Sequence, residues 1–307
     1  MKKILLFITI ITFFIQKNAF AQMPTDAIYM PKKSLCVAAM YGNSTWKNYW
    51  EGELKRENLN IGKNVTQSFS LMAAYGITDK LNAIVNLPYV TTHNTAGNLA
   101  GQKGFQDVSA FLKYKVWEKK GFSVNTILGG SIPMTNYVPD FLPMSIGLQA
   151  KTAVGRLILA YNHSSGMYVA GSAAYTLRSN IKVDRNAYQA YEKIFNTNEV
   201  EVPNATDAAV RLGYLKNGLQ IEAFLTRFTC VKGDNIRRND MPFPTNNMQA
   251  TNAGFYAKYQ YKKVGFLANV AYTLNGLNVG QSTMFMGGIT YLFGKASPKS
   301  SPEERTY

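Results

Sequence analysis

Short turns alternate with longer connections along this chain, and the segments between them have the character of strands. The short turns are Gly76–Lys80, Glu118–Gly121, His163–Gly166, Lys216–Gly218 and Lys262–Gly265. The longer connections cover, approximately, residues 42–64, 92–104, 134–153, 179–206, 229–249 and 275–281. In an up-and-down barrel of an outer membrane, tight turns lie on one side of the membrane and long loops on the other. The alternation therefore predicts an all-β chain that folds as a single-domain, transmembrane antiparallel β-barrel.

The strand candidates between these connections are residues 35–41, 65–75, 81–91, 105–117, 122–133, 154–162, 167–178, 207–215, 219–228, 250–261, 266–274 and 282–293. Most of them suit a tilted spanning strand, which needs about 9–11 residues. Residues 145–151 either lengthen the sixth strand or form a strand of their own. We expect about twelve strands, within a range of roughly 10–14, in a barrel that covers residues 35–293.

Apolar and polar side chains alternate along several of these segments. In 250–261, Phe255 and Ala257 lie on one face, whereas Tyr256 and Lys258 lie on the other. A soluble β domain alternates in the same way, with its apolar face turned inward. Aromatic residues near the short turns and the C-terminal strand end favour the membrane, because they predict an aromatic girdle at the lipid headgroups. They are Tyr75, Tyr114, Trp117, Phe122, Tyr161, Tyr168, Tyr214, Tyr261, Phe266, Tyr291 and Phe293.

The N-terminus has the pattern of a cleavable secretory signal. Lys2 and Lys3 precede the run Ile4–Ile15, which is too short for a spanning helix of about 20 residues, and Ala19-Phe20-Ala21 is an A-x-A cleavage site. We expect a signal peptide over residues 1–21 and export to the cell outer membrane of a Gram-negative bacterium. Residues 22–34 form either a free N-terminal arm or a segment that enters the barrel. The polar tail 294–307 is predicted to be disordered.

The chain is basic, with a formal net charge of +15. Such a charge can indicate a nucleic-acid partner, but the export signal argues against one. Several lysines fall in the proposed short turns, where they are expected to reach lipid headgroups. These are Lys80, Lys119, Lys120, Lys216, Lys262 and Lys263. Outer-membrane lipid is therefore an expected partner.

Features of an enzyme are sparse. The histidines are His93 and His163. Residues 162–165 include asparagine, histidine and serine, but these are neighbours in one turn, which is not the arrangement of a catalytic triad. Metal-ligand spacings, a phosphate loop and a dinucleotide fingerprint are not found, so no cofactor is expected. Cys36 and Cys230 either pair in the oxidising periplasm or remain free.

The inward face of the predicted barrel carries the candidate selectivity residues. By strand parity, these lumen candidates are Asp107, Lys113, Arg156, Arg211, Glu222 and Lys258. Charges inside an open barrel set its selectivity, and a slight basic excess favours anions. Alternatively, the acids pair with arginine or lysine and fill a closed interior, as buried charges require.

Two loops carry candidate gate residues. Residues Asp184–Phe195 have apolar side chains, among them Tyr188 and Tyr191, at helix-like spacing, which predicts a short helix over the outer mouth or along its rim. Residues Ile236–Pro244 combine two prolines with charges that either pair within the loop or gate the mouth. The charged gate candidates are Arg237, Arg238 and Asp240.

One hairpin resembles that of a known family. Residues 75–81 (YGITDKL) and 86–90 (NLPYV), followed by 104–107 (GFQD) and 111–115 (FLKYK), are similar to segments of the outer-membrane family linked to meta-pathway phenol degradation. Gln106 stands where the family has the second glycine of Gly-x-Gly-Asp. The resemblance implies an outer-membrane barrel of transporter type, for hydrophobic or aromatic compounds, with a distant similarity to long-chain fatty-acid channels.

The leading hypothesis is a passive, non-enzymatic, porin-like channel or uptake protein for small molecules, including hydrophobic or aromatic ones. The alternative is a closed barrel with a structural or surface-recognition role that lies in its extracellular loops. A third, more distant hypothesis is a lipid-modifying enzyme. Solute flux separates the first two, and substitution of both histidines tests the third.

Overall fold

The computed structural model describes residues 23–238 and 240–294. The predicted signal peptide 1–21 and all but Gly294 of the predicted tail lie outside the described residues. The strands in the described part are β1 (Leu35–Trp46), β2 (Asn48–Glu51), β3 (Leu54–Glu57), β4 (Asn64–Gly76), β5 (Leu81–Asn94), β6 (Lys103–Phe105), β7 (Asp107–Lys119), β8 (Phe122–Pro133), β9 (Thr152–Asn162), β10 (Met167–Arg178), β11 (Ile181–Lys182), β12 (Tyr188–Ala190), β13 (Lys193–Phe195), β14 (Glu199–Val200), β15 (Ala205–Lys216), β16 (Leu219–Cys230), β17 (Gln249–Tyr261), β18 (Val264–Leu277) and β19 (Thr283–Phe293).

Within the described residues, twelve long strands form a closed antiparallel barrel. Each pairs with its neighbour in the chain, and β1 closes the wall by pairing with β19 from Leu35↔Phe293 to Thr45↔Thr283. The wall strands are β1, β4, β5, β7, β8, β9, β10, β15, β16, β17, β18 and β19. The short strand β6 adds to β5 at the rim. The predicted up-and-down barrel is confirmed, and residues 145–151 lie in a loop rather than in a strand.

Tight turns and long loops lie at opposite ends of the barrel. The turn between β15 and β16 is the pair Asn217-Gly218, and both residues have positive φ, as two-residue hairpins prefer. The start of β1 and the end of β19 lie at this same end, because Leu35 pairs with both Phe293 and Tyr75. The longer loops gather at the other end, which we call the outer mouth.

Apolar side chains cover the outside of the wall. On β17, Phe255 and Tyr261 are exposed, whereas Tyr256, Lys258 and Gln260 are buried on the inner side. Exposed aromatic residues also ring the short-turn end, as predicted; they include Tyr75, Tyr114, Trp117, Phe122, Phe266, Tyr291 and Phe293. The outer surface therefore has the apolar band and aromatic girdle that a bilayer requires.

Tyr168 is an exception to the predicted girdle, because it points into the barrel and is buried. Gly213 on the neighbouring strand makes room for it: a Cβ at Gly213 would lie 2.5 Å from Cζ of Tyr168. Small residues occupy both faces of the 167–178 segment, so its alternation does not identify the inward side. The position was wrongly predicted for that reason.

A charge on the lipid-facing surface tests the orientation of the wall. Leu157 lies in the middle of β9 and is exposed. We expect Leu157→Arg to lower the free energy of unfolding in lipid vesicles by about 2–4 kcal/mol, because an arginine at the bilayer midplane loses its hydration. Phe122→Arg, at the headgroup level, should cost about 0–1 kcal/mol. Urea unfolding followed by tryptophan fluorescence gives the loss of unfolding free energy for both variants. Equal losses would contradict the placement of Leu157 at the bilayer midplane and Phe122 at the headgroup level.

The segment Asp184–Phe195 forms a β-hairpin, and the predicted helix was wrong. β12 pairs with β13 in the register Tyr188↔Phe195, and the two rings stack with centroids 5.2 Å apart. The intervening residues Tyr191 and Glu192 both have positive φ, which suits a two-residue hairpin turn and not a helix. The spacing of seven residues between Tyr188 and Phe195 places them on one helix face, but it equally places them opposite each other across such a turn.

No helix that could cross a membrane occurs in residues 23–238 and 240–294. Cys36 lies near the short-turn end of β1, whereas Cys230 ends β16 at the outer mouth. Both are buried free thiols. Their places at opposite ends of the wall rule out the intramolecular disulfide that the sequence left open.

Candidate functional site

The arm, residues 23–34, lies inside the barrel. It enters from the short-turn end, where the Lys33 N–H donates to the Gly76 carbonyl at 2.7 Å. Met30 is 1% exposed and packs in a cluster with Ile84 and Leu292. Further along, Ala27 packs against a buried cluster on the opposite wall that includes Ile158. Of the two arrangements that the sequence left open for this segment, the structure has the one in which it occupies the lumen.

A buried ion pair holds the arm to the wall. Nζ of Lys113, on β7, lies 2.6 Å from Oδ1 of Asp26. It also donates to the carbonyl oxygens of Ile28 at 2.9 Å and Met23 at 3.3 Å. The Lys113 side chain is fully buried, and an ammonium group without water needs such partners. Lys113 therefore binds the arm.

A second polar cluster joins the arm to the opposite wall. Glu222 accepts a hydrogen bond from the Tyr168 hydroxyl at 2.6 Å and forms an ion pair with Nη1 of Arg211. The other Arg211 terminal nitrogen donates to Oγ1 of Thr25 at 3.2 Å. Gln220 donates to the Tyr168 hydroxyl oxygen at 3.2 Å. The cluster links β10, β15 and β16 to the arm.

The other lumen candidates also face inward. Arg156 forms an ion pair with Asp207 at 2.7 Å. Asp107 accepts a hydrogen bond from the Tyr137 hydroxyl at 2.6 Å. Lys258 is 1% exposed on the inner face of β17. The sequence expectation that acids pair with basic residues holds for Glu222, whereas Asp107 has a hydroxyl partner.

Tyr137 belongs to the loop between β8 and β9, and its side chain contacts Asp107 at the start of β7. Burial, together with the Asp107 carboxylate, raises the pKa of its hydroxyl above the usual tyrosine value. The hydroxyl therefore stays protonated and donates to Asp107, while its oxygen accepts from the Gln149 backbone N–H at 2.8 Å. This tyrosine fixes the loop on the lumen edge.

Three of the gate candidates, Tyr188, Arg237 and Asp240, lie together at the outer mouth. Arg237 forms an ion pair with Asp240 in the same loop and also donates to Gln189 of the β12–β13 hairpin. The ring of Tyr188 lies 5.4 Å from that of Phe243. These contacts join the loop after β16 to the loop after β10.

Two gate candidates take different positions. Tyr191 is exposed at the hairpin turn, where its backbone N–H donates to Asp234 at 3.1 Å. Arg238 is exposed on the loop. Partial burial, and next the nearby Asp234, raise the pKa of the Tyr191 hydroxyl above its usual value, so this side chain remains neutral.

Sequence reasoning missed the main partners of the site. Asp26, Tyr168, Asp207 and the outer-mouth pair Asp140–Arg185 were not among the candidates. Asp26 has a local signal, because it is the one acidic residue in residues 22–34. Asp140 and Arg185 come from different loops, 45 residues apart, and have no pattern that pairs them.

The structure places His163 in the turn between β9 and β10, where its Nδ1 lies 2.9 Å from Oγ of Ser165. This is an interaction inside an exposed turn. In the part of the chain that the structure describes, no group of three histidine, cysteine, aspartate or glutamate side chains is arranged to hold a metal ion.

Comparison with known families identifies a matching family model. Residues 64–286 match the family model described as "Putative MetA-pathway of phenol degradation". The match covers more than half of the chain, from β4 to β19. No curated protein sequence matches the chain.

Solved structures with the same architecture include an outer membrane channel from Pseudomonas putida F1. It aligns with a TM-score of 0.70 at 16% identity, over 89% of this chain and 100% of that one. The NanC porin aligns with a TM-score of 0.48 at 9% identity, over 84% of this chain and 98% of that one. A mutant of the TodX monoaromatic hydrocarbon channel aligns with a TM-score of 0.45 at 10% identity, over 86% and 91%. The first of these structures supports the barrel fold, and the other two are too distant to bear on it.

Proposed function

Because the chain belongs to the family linked to the MetA-pathway of phenol degradation, we propose that it is an outer-membrane channel that conducts small molecules passively, without catalysis. The observation that carries this proposal is the closed wall, with apolar side chains outside and charged or polar side chains inside. Such a wall replaces lipid by a protein-lined path for the solute.

The arm is the constriction of the proposed path. It fills the short-turn half of the lumen and is held by Lys113 and Arg211. A solute must pass beside the arm, or the arm must move before the solute can pass. The charge of the path is then set, either directly or through the arm, by the lumen candidates Asp107, Lys113, Arg156, Arg211, Glu222 and Lys258.

Selection is proposed to begin at the outer mouth. The proposed gate residues lie on two loops of the outer mouth, and the Arg237–Asp240 ion pair holds the shape of one of these loops. They are Tyr188, Tyr191, Arg237, Arg238 and Asp240. Small aromatic or hydrophobic molecules are the proposed solutes. The family description and the aromatic side chains at the entrance support this class.

The location of the proposed channel is the cell outer membrane, with outer-membrane lipid as its surroundings. The predicted signal peptide and the exposed apolar band support this location. Neither a nucleic-acid partner nor a cofactor is part of the proposal.

Liposome swelling and planar-bilayer conductance test the function. Purified protein should speed the uptake of small neutral solutes into liposomes and give discrete conductance steps. The control is the same lipid with a protein heated to unfold its barrel, which migrates differently on gels from the unheated sample. Wild-type protein that is folded by this criterion but passes neither ions nor solutes would contradict the channel.

The alternative, a closed barrel that acts through its loops, is favoured by one observation, namely that the arm fills part of the lumen. Its partner would bind at the residues 179–206 and 229–249. If this alternative is right, shortening both loops abolishes binding of the cell-surface partner and leaves permeability unchanged. A change of solute selectivity after the same shortening supports the channel.

A further inference from the structure

Arg227 places a positive charge on the lipid-facing side of the wall. It is exposed on β16, on the same outward face as the exposed side chains of Ile221 and Leu225. Away from the short-turn end, it is the one arginine, lysine, aspartate or glutamate that the long strands of the described chain present on this face. A charge on this face costs most at the bilayer midplane and little near the membrane surface. The depth of Arg227 therefore decides which groups of the membrane it meets.

The strand registers place Arg227 beside aromatic residues in the outer half of the wall. Leu225, which precedes it on the outward face, is linked by pairing through β17 to Tyr272 on β18. Thr229, which follows it on that face, is linked through β15 to Tyr175 on β10. Both tyrosines are exposed. Further exposed aromatic residues in this half of the wall are Tyr41, Tyr89, Phe105 and Phe285. Such rings mark the headgroup level, so Arg227 lies at the headgroups on the side of the outer mouth.

Two side chains of the neighbouring strand β17 hold the Arg227 guanidinium. Its Nη1 donates to Oγ1 of Thr251 at 2.8 Å, and its Nη2 donates to Oε1 of Gln249 at 2.6 Å. These bonds use only part of the N–H groups of a guanidinium. Because the Gln249 and Thr251 oxygens both accept, the Gln249 amide N–H groups and the Thr251 hydroxyl proton remain available as donors. The three side chains therefore form one cluster of donors.

The charge of this donor cluster is not compensated by an acid. The ion pairs of the described residues do not include Arg227. A positively charged cluster that offers donors complements an anion, and the planar guanidinium matches the oxygens of a phosphate particularly well. At the headgroup level of the outer leaflet, the phosphate at hand belongs to the membrane itself.

We propose that Arg227, Gln249 and Thr251 bind a phosphate group of lipid A, the phosphorylated glycolipid of the outer leaflet. Leu225 and Val210, which lie opposite each other on β16 and β15 and are both exposed, offer an apolar surface to its acyl chains. The inference rests on the proposed outer-membrane location, with the long loops on the outside of the cell. It does not depend on whether the lumen conducts.

Native mass spectrometry of the full chain in detergent micelles measures the binding. The two probes are bis-phosphorylated lipid A and the same lipid after removal of its phosphates. We expect the wild type to bind the phosphorylated lipid about tenfold or more tightly, because charge-assisted hydrogen bonds are lost with the other. Phosphatidylglycerol should bind more weakly than lipid A, and inorganic phosphate at equal concentration should not displace the lipid, since it lacks acyl chains.

Matched substitutions localise the effect. Arg227→Gln removes the charge, so we expect the preference for phosphorylated lipid A to fall to within about twofold. Arg227→Lys keeps the charge but not the planar fork, and its affinity should be lower than that of the wild type by about threefold or more. Lys193→Gln removes one positive charge from the exposed β12–β13 hairpin of the outer mouth and should keep the preference. The difference in migration of heated and unheated samples verifies that each barrel is folded.

Several results would overturn the proposal. These are equal affinities of the wild type for the two forms of lipid A, tight binding of phosphatidylglycerol to the same degree, and an unchanged preference in Arg227→Gln. An equal loss in Lys193→Gln would show that net charge alone sets the binding. A lipid-free dimer that Arg227→Gln converts to a monomer would assign the cluster to an interface between copies.

Liposome swelling with the same samples separates this site from the channel. Lipid A binding without solute flux contradicts the channel alone. Solute flux without a preference for phosphorylated lipid A contradicts the lipid site alone.

Discussion

A variant that lacks residues 23–32 should conduct ions several-fold better than the wild type in planar bilayers. The arm fills the short-turn half of the lumen, where Lys113 and Arg211 hold it. Its removal leaves these side chains in a water-filled path, and conductance rises with the cross-section that water occupies. The deletion keeps the predicted signal peptide and Gln22, and it joins Gln22 to Lys33. Single-channel recording gives the conductance of both proteins.

A glycine substitution tests the same idea without a deletion. A Cβ at Gly76 would lie 2.1 Å from the Pro31 carbonyl oxygen, so Gly76→Ala should displace the arm from its anchor and raise conductance. Gly171→Ala is the matched control, because a Cβ there meets nothing within 4 Å. If the deletion leaves conductance at the wild-type value in a folded barrel, the arm is not the constriction.

Glu222→Gln should lower the free energy of unfolding by about 3 kcal/mol, since removing one partner of a buried ion pair leaves the other charge without compensation. Glu222 is 2% exposed and serves both Arg211 and the Tyr168 hydroxyl. Urea unfolding in lipid vesicles, followed by tryptophan fluorescence, measures the loss.

Asp207→Asn is the matched control for that experiment. It also removes the acid of a luminal ion pair, but the Asp207 side chain is 28% exposed, so water screens Arg156 after the change. We expect a loss of about 1 kcal/mol or less. Equal losses for the two variants would show that the Glu222 cluster is as hydrated as the Asp207 pair.

The barrel was predictable because two-residue periodicity is a local property of the chain. In residues 250–261, the alternation of residue types is enough to assign Phe255 and Lys258 to different faces of the strand. The structure places them on opposite sides of the wall. On β7 the inward position of Lys113 follows from parity as well. A bulge there gives Val116 no direct partner on β8, with Lys115 opposite Asn125 and Trp117 opposite Val124. As a result, Val116 and Trp117 both face outward, which parity does not predict.

The partners of the inward residues were not predictable in the same way. Parity shows that Lys113 faces the lumen, but its acid is 87 residues away in a segment without secondary structure. Asp140 and Arg185 meet only because two loops fold over one mouth. The hairpin Tyr188–Phe195 illustrates the remaining difficulty, since a spacing of seven suits a helix and a two-residue turn equally well.

The position of Asp26 imposes an order on assembly. Its partner Lys113 lies on β7, and the second anchor of the arm lies on β15 and β16, far later in the chain. Although the arm leaves the ribosome before every strand, its binding site is complete only when most of the wall exists. The first part of the described chain to be synthesised is therefore among the last to reach its final place, because the residues that bind it lie on strands that are synthesised later.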